Sequence, residues 1–176
     1  MTKLRRGLVM VIIVISAYLL QYGVFGTLPF IDTVPNVMLV VTISFAMFRG
    51  KNTGMLTGML CGFVVDAASL SLLGYHMVIY TILGYICGFL HGVLYAEHIS
   101  IPLLAAGICS FLYGCYCYIF DFLVRNRLNI GFYMKKIILP EALYTVVVMA
   151  FLYKLLEYVN KKLEESEKRR AAKVVR

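Results

Sequence analysis

Few residues in this sequence combine reactive chemistry with a setting that would let them use it. Asp66 is the first, a carboxylate in an otherwise apolar stretch, four residues after Gly62 and therefore on the same helical face. A charge placed there needs a partner or a proton. It marks either a proton, ion or ligand site, or a structural role: capping a helix break between Ala67 and Gly74, or bonding a neighbouring helix. No second acidic or basic residue clearly faces it from the sequence. Glu97 and His98, with His91 close by, have the composition of a catalytic cluster but fall in a turn between apolar runs and read as a solvated loop. Asp121 stands four residues before Arg125 and pairs with it along one helix face. Glu141 follows Pro140 in a first helical turn, where a carboxylate favours the positive end of the helix dipole. Phe111, Tyr113, Tyr116, Tyr118, Phe120 and Phe122 crowd a single run, either lining a ligand cavity or packing and anchoring at an interface. No nucleophile–base pair, phosphate-binding glycine loop or metal-ligand spacing is present, so no catalytic residue, cofactor or metal is expected and the chain does not read as an enzyme.

The elements that hold these residues are set by composition. Of 176 residues, 61% are hydrophobic and 15% charged, with a mean hydropathy of +0.85. The charges crowd into the two ends and a few short gaps, which is the composition of a membrane protein rather than of a soluble domain. The net charge of +8 resides at Lys3, Arg5 and Arg6 and from Lys154 onward, a pattern of membrane topology and not of nucleic-acid binding. The five cysteines lie in apolar runs and read as small packing residues without disulfides.

A helix needs about 20 apolar residues to span the hydrocarbon. Six runs qualify as an all-α integral membrane domain over residues 1–159: Gly7 to Thr27, Pro35 to Phe48, Gly54 to Leu73, Tyr75 to Tyr95, Ile101 to Val124 and Ile137 to Tyr158. The first lacks a small-residue cleavage site and reads as a retained helix. The second is short, so it must stand upright, thin the bilayer or draw on flanking residues; Pro35 suits its first turn. With both termini cytoplasmic, Lys and Arg at the N-terminus, at Arg49 and Lys51 and in the basic tail 160–176 lie inside. Arg125, Arg127, Lys135 and Lys136 disagree, lying outside in a gap long enough for a surface turn or a short interfacial helix. Glu164 with Lys168 and Glu165 with Arg169 favour a helix continuing into the tail, which fixes topology, touches anionic lipid or binds a partner.

Gly54, Gly58 and Gly62 recur every four residues, as do Gly84, Gly88 and Gly92. Each row forms a smooth groove for another backbone, either within the chain or from a partner's transmembrane helix.

An ordered set of pieces resembles the rod shape-determining MreD family of bacteria: Pro35-Asn36 opening a short helix, Arg49-Gly50 closing it, Gly54, Gly58, Gly62 and Asp66 leading to Gly74, then Gly84-Tyr85 and Gly88, and Leu139-Pro140-Glu141-Ala142. The resemblance runs from about Gly7 to Tyr158. It implies a fold similar to the six-helix substrate-binding subunits of energy-coupling-factor vitamin transporters. It also implies a non-enzymatic scaffold of the bacterial inner membrane that supports lateral peptidoglycan synthesis and cell shape. The implied partners are the transmembrane helix of MreC, MreB filaments, RodA and a class B penicillin-binding protein, with homo-oligomerisation open. A glycine groove receiving the MreC helix is the mechanism this suggests. The competing class is a vitamin-type transport subunit with a ligand under the Asp66 to Tyr75 turn.

Overall fold

The computed structural model describes residues 2–27, 33–69, 73–92, 100–125 and 130–174. Its principal helices are α1 (Thr2–Leu19), α2 (Val37–Arg49), α3 (Lys51–Ser69), α4 (Tyr75–Gly88), α5 (Ser100–Arg125) and α6 (Leu139–Val174). α1 runs on through a π-helical turn, Leu20–Val24, and a 3-10 turn, Phe25–Thr27. A 3-10 turn, Phe89–Gly92, ends α4, and α6 is led in by a single turn, Ile130–Tyr133, and a second π-helical turn, Met134–Ile138. The described residues contain no strand, and the all-α membrane class expected from composition holds. Gly7–Thr27, Ser100–Phe120 and Met134–Leu163 are long and apolar enough to cross a bilayer, and Val37–Arg49 and Tyr75–His91 are shorter apolar helices.

The outer surface explains the composition. Leu8, Ile12, Ile15 and Leu19 of α1, Leu104, Ile108 and Leu112 of α5, and Leu143, Val147 and Phe151 of α6 are all exposed. Continuous apolar faces of this kind suit hydrocarbon and would be a liability in water.

The short second helix departs from the sequence expectation. It has 13 residues, about 20 Å at 1.5 Å per residue, and it lies inside the bundle instead of on its outer surface. Every residue from Val37 to Met47 is buried, so α2 is surrounded by protein and hydrophobic mismatch with lipid does not arise. Its polar side chains are satisfied internally, the Thr42 hydroxyl donating to Met38 O and the Ser44 hydroxyl to Val40 O. That is the condition for burying them away from water. Gly50 ends the helix in a left-handed conformation, φ +84°, and its N–H donates to Ala46 O at 2.8 Å.

The glycine rows of α3 and α4 meet each other. A Cβ on Gly54 would overlap the Gly84 carbonyl, one on Gly58 the Tyr80 carbonyl, one on Gly62 the Met77 backbone and one on Gly88 the Lys51 backbone. The two helices touch backbone to backbone, and the missing side chains supply dispersion contact that lipid cannot. Gly54, Gly58, Gly62, Gly84 and Gly88 are therefore filled from within the chain, so among these described positions no groove stands open for an outside helix. Gly92 falls at the end of the 3-10 turn after α4.

The final helix differs from expectation at its start. Helical backbone is already present from Ile130, and Pro140 sits inside it rather than at a free first turn. Proline lacks the N–H that would bond the carbonyl four residues back and its ring crowds that carbonyl. The carbonyl in question is Lys136 O, just inside the π-helical turn, and the Thr33 hydroxyl donates to it at 3.4 Å. Part of the basic gap is thus helix, with Lys135 and Lys136 exposed on it, while Arg127, Glu97 and His98 lie outside the described residues. The side chains of Asp121 and Arg125, and the tail pairings with Lys168 and Arg169, also lie outside them.

Candidate functional site

Two polar clusters sit at the end of the bundle where α1 and α3 finish and α2 and α4 begin. The first is built on Asp66, which is 1% exposed. Its carboxylate accepts from the backbone N–H groups of Gly74 (2.9 Å), His76 (2.9 Å) and Met77 (3.1 Å), and lies 2.7 Å from His76 Nδ1. The first turn of a helix leaves N–H groups without intrahelical partners, and here they are met by a carboxylate from the preceding helix. The negative charge also faces the positive end of the α4 dipole. Gly74, at φ +104°, makes the reversal that brings the chain back under Asp66. Of the sequence alternatives, the geometry is that of a cap on the helix break. The facing partner, His76, had no signal in the sequence beyond its position two residues past Gly74.

The second cluster is centred on Asn36, itself 2% exposed. Asn36 Oδ1 accepts from Leu39 N (3.0 Å) and from the Tyr80 hydroxyl of α4 (2.7 Å), and Asn36 N donates to Thr145 Oγ1 of α6 (3.0 Å). Gln21 Oε1, brought in from the π-helical turn after α1, accepts from Met38 N at 3.0 Å. The N-terminus of the buried helix α2 is therefore capped by its own Asn36 and by Gln21, with α4 and α6 tied to the same residue. Pro35, also buried, precedes the cap, and its carbonyl accepts from Val37 N.

Beside Asn36 opens a cavity of about 320 Å³. Gln21 and Tyr22 line it from one π-helical turn, Ile137 and Ile138 from the other, and Tyr113 and Cys117 from α5. Glu141 also lines it, its carboxyl against the Asn36 side chain. Glu141 thus belongs to a cavity wall, and with helical backbone running from Ile130 it does not face a free helix N-terminus as the sequence suggested. Single π-helical turns are common at functional sites because the extra residue re-aims side chains, and both of those in the described residues border this space.

An open apolar groove of about 700 Å³ lies further along the same pair of helices, lined by Leu104, Gly107, Ile108 and Phe111 of α5 and by Val146 of α6. Gly107 faces Val146 and Gly114 faces Ile138, so groove and cavity follow one another along the α5–α6 seam.

The described aromatics of the run pack largely on one another and on α4. Tyr80 and Tyr113 stack with centroids 5.4 Å apart, Tyr116 and Phe120 both pack on Tyr75, and the Tyr116 hydroxyl donates to Tyr75 O. His91 likewise leaves the solvated-loop reading: its Nδ1 lies 2.6 Å from Met47 O near the C-terminus of α2, where helix carbonyls lack partners.

Among the predicted site residues, the structure brings Asn36 to the cavity, with Pro35 and Pro140 each next in sequence to a lining residue, Asp66 and Gly74 into the α4 cap, and Gly54, Gly58, Gly62, Gly84 and Gly88 into the α3–α4 contact. Gln21, Tyr80 and Thr145 were missed. Gln21 alone carried a signal, as an amide inside an apolar membrane run.

Residues 1–162 match the model of a protein family described as rod shape-determining protein MreD. No curated protein and no solved structure matches the chain.

Proposed function

The chain belongs to the rod shape-determining protein MreD family, and from that membership we propose that it is a non-enzymatic scaffold of the elongation complex, supporting lateral peptidoglycan synthesis by docking MreC. The observation that carries this reading is the α5–α6 seam, an apolar groove followed by a half-polar cavity with a carboxyl group in its wall. A bitopic partner presents the matching order of surfaces, an apolar helix and then a polar chain leaving the bilayer. The glycine rows are not used for docking in this reading, because each fills the other.

The inner membrane is the proposed location, with both termini cytoplasmic. Arg49, Lys51, Lys161 and Lys162 lie toward the end where the chain starts and finishes, which supports that orientation. Lys135 and Lys136 oppose it from the other end. MreB filaments and anionic lipid would meet the basic extension of α6, and RodA and a class B penicillin-binding protein complete the assembly, in which self-association has a place.

The cavity also favours a second reading, a substrate-binding subunit of a vitamin-type transporter with a small polar molecule beside Glu141. Affinity purification in mild detergent, with mass spectrometry for proteins and small molecules, separates the two. Recovery of MreC, lost on Glu141→Leu or Cys117→Trp while the helical fold persists, is expected. Recovery of a transporter ATPase and a bound small molecule would transfer the chain to the second reading.

A further inference from the structure

Cys87 of α4 and Cys109 of α5 are both buried, and their Sγ atoms lie 3.3 Å apart, joined by a thiol hydrogen bond. Buried cysteines usually serve as small apolar residues, and Cys61 is one such, deep in the core. The pair differs in what surrounds it. Elsewhere α4 and α5 are held together by aromatic contacts nearer the Asp66 end, namely the Tyr80–Tyr113 stack and the packing of Tyr116 and Phe120 on Tyr75. Further along the seam the two thiols face each other directly. A disulfide needs an S–S separation of about 2.05 Å, so the sulfurs must close by a little more than an ångström.

We infer that Cys87 and Cys109 form an oxidisable dithiol whose disulfide links α4 to α5, with a small peroxide as the oxidant. The step balances as follows. One thiol is oxidised to a sulfenic acid as the peroxide O–O bond breaks and hydrogen peroxide gives up one water. The second sulfur then attacks the sulfenic sulfur, forming the S–S bond and releasing a second water. Two thiols lose two electrons in total and one peroxide is reduced. A peroxide is little larger than water, so it can reach a site that excludes glutathione and protein oxidants.

The test uses the full chain in lipid nanodiscs, titrated with hydrogen peroxide, quenched, denatured and alkylated. The expected result is loss of two of the five alkylatable thiols, an intact mass lower by two hydrogens, and a reducible peptide link between Cys87 and Cys109. Cys87→Ala and Cys109→Ala should each abolish the loss, and Cys61→Ala should leave it unchanged. Retention of all five thiols, conversion of single cysteines to sulfinic acid, or the same two-thiol loss in Cys87→Ala would overturn the inference.

Discussion

The two ends of the buried helix α2 are finished in different ways. At its N-terminus the free N–H groups are met by side chains, Asn36 Oδ1 for Leu39 and Gln21 Oε1 for Met38, and Tyr80 and Thr145 are bonded to the same Asn36. Two other helices, α4 and α6, bond to Asn36 and the turn after α1 caps Met38, with the cavity opening beside them. At its C-terminus the chain ends the helix largely by itself, through Gly50 in a left-handed conformation and a bond from its N–H to Ala46 O. His91 near Met47 O and an Arg49 Nε bond to Asn160 Oδ1 at 2.6 Å add contacts there. Distant side chains up to 109 positions away converge on the first end, whereas the second, although His91 and Asn160 reach it from 44 and 111 positions away, is closed by its own Gly50. An end assembled from distant side chains holds a shaped site and is sensitive to substitution; a locally closed end tolerates change.

The largest effect should come from the contact that both ends depend on. Gly58→Leu forces a side chain into the Tyr80 carbonyl, where backbone rather than a flexible side chain must move. Overpacking of this kind costs roughly 3 kcal/mol or more. The variant should lose most of its monodisperse peak in detergent gel filtration, and a normal peak would mean that α3 and α4 do not touch backbone to backbone.

Next in size is Asn36→Leu, which leaves Leu39 N and the Tyr80 hydroxyl buried without an acceptor, at about 1–3 kcal/mol for each unsatisfied group. Asn36→Ser keeps a side-chain oxygen acceptor for the cap without a second carboxyl beside Glu141 and should recover part of the thermal stability. If Leu and Ser behave alike, the cap is not what fixes this end. Asp66→Asn retains one carbonyl acceptor for the α4 N–H groups but loses the charge that strengthens them. A loss of about 1–2 kcal/mol is expected, visible as faster hydrogen exchange confined to the first turn of α4.

This ordering bears on what the sequence makes legible. Hydropathy locates the apolar runs, and Pro35-Asn36, Arg49-Gly50 and Asp66 to Gly74 mark real helix ends because capping chemistry is local. The fate of α2 is not local: nothing within Val37 to Met47 distinguishes a lipid-facing helix from one enclosed by its neighbours, since both are apolar. The partners of Asn36 lie 44 and 109 residues away, and periodicity carries no information about which helices adjoin. Pro140 announces an interruption, but the π-helical turn before it and the Thr33 hydroxyl that meets the Lys136 carbonyl are not written in the local sequence. The glycine rows were visible as surfaces for close approach, while their mutual pairing is a property of the fold.

The smallest effect should appear at the locally closed end, where Arg49→Gln tests the other half of the comparison. The Arg49 guanidinium is partly exposed, so solvent weakens its attraction for the buried Asn160, and the glutamine side chain keeps an N–H donor for the Asn160 amide oxygen. Gly50 and the Ala46 carbonyl continue to finish α2 without it. A change of no more than about 1 kcal/mol follows, with hydrogen exchange at the N-terminus of α2 unaltered. A loss as large as that from Asn36→Leu would erase the distinction between the two ends, because it would make a single distant contact as important to the second as the converging set is to the first.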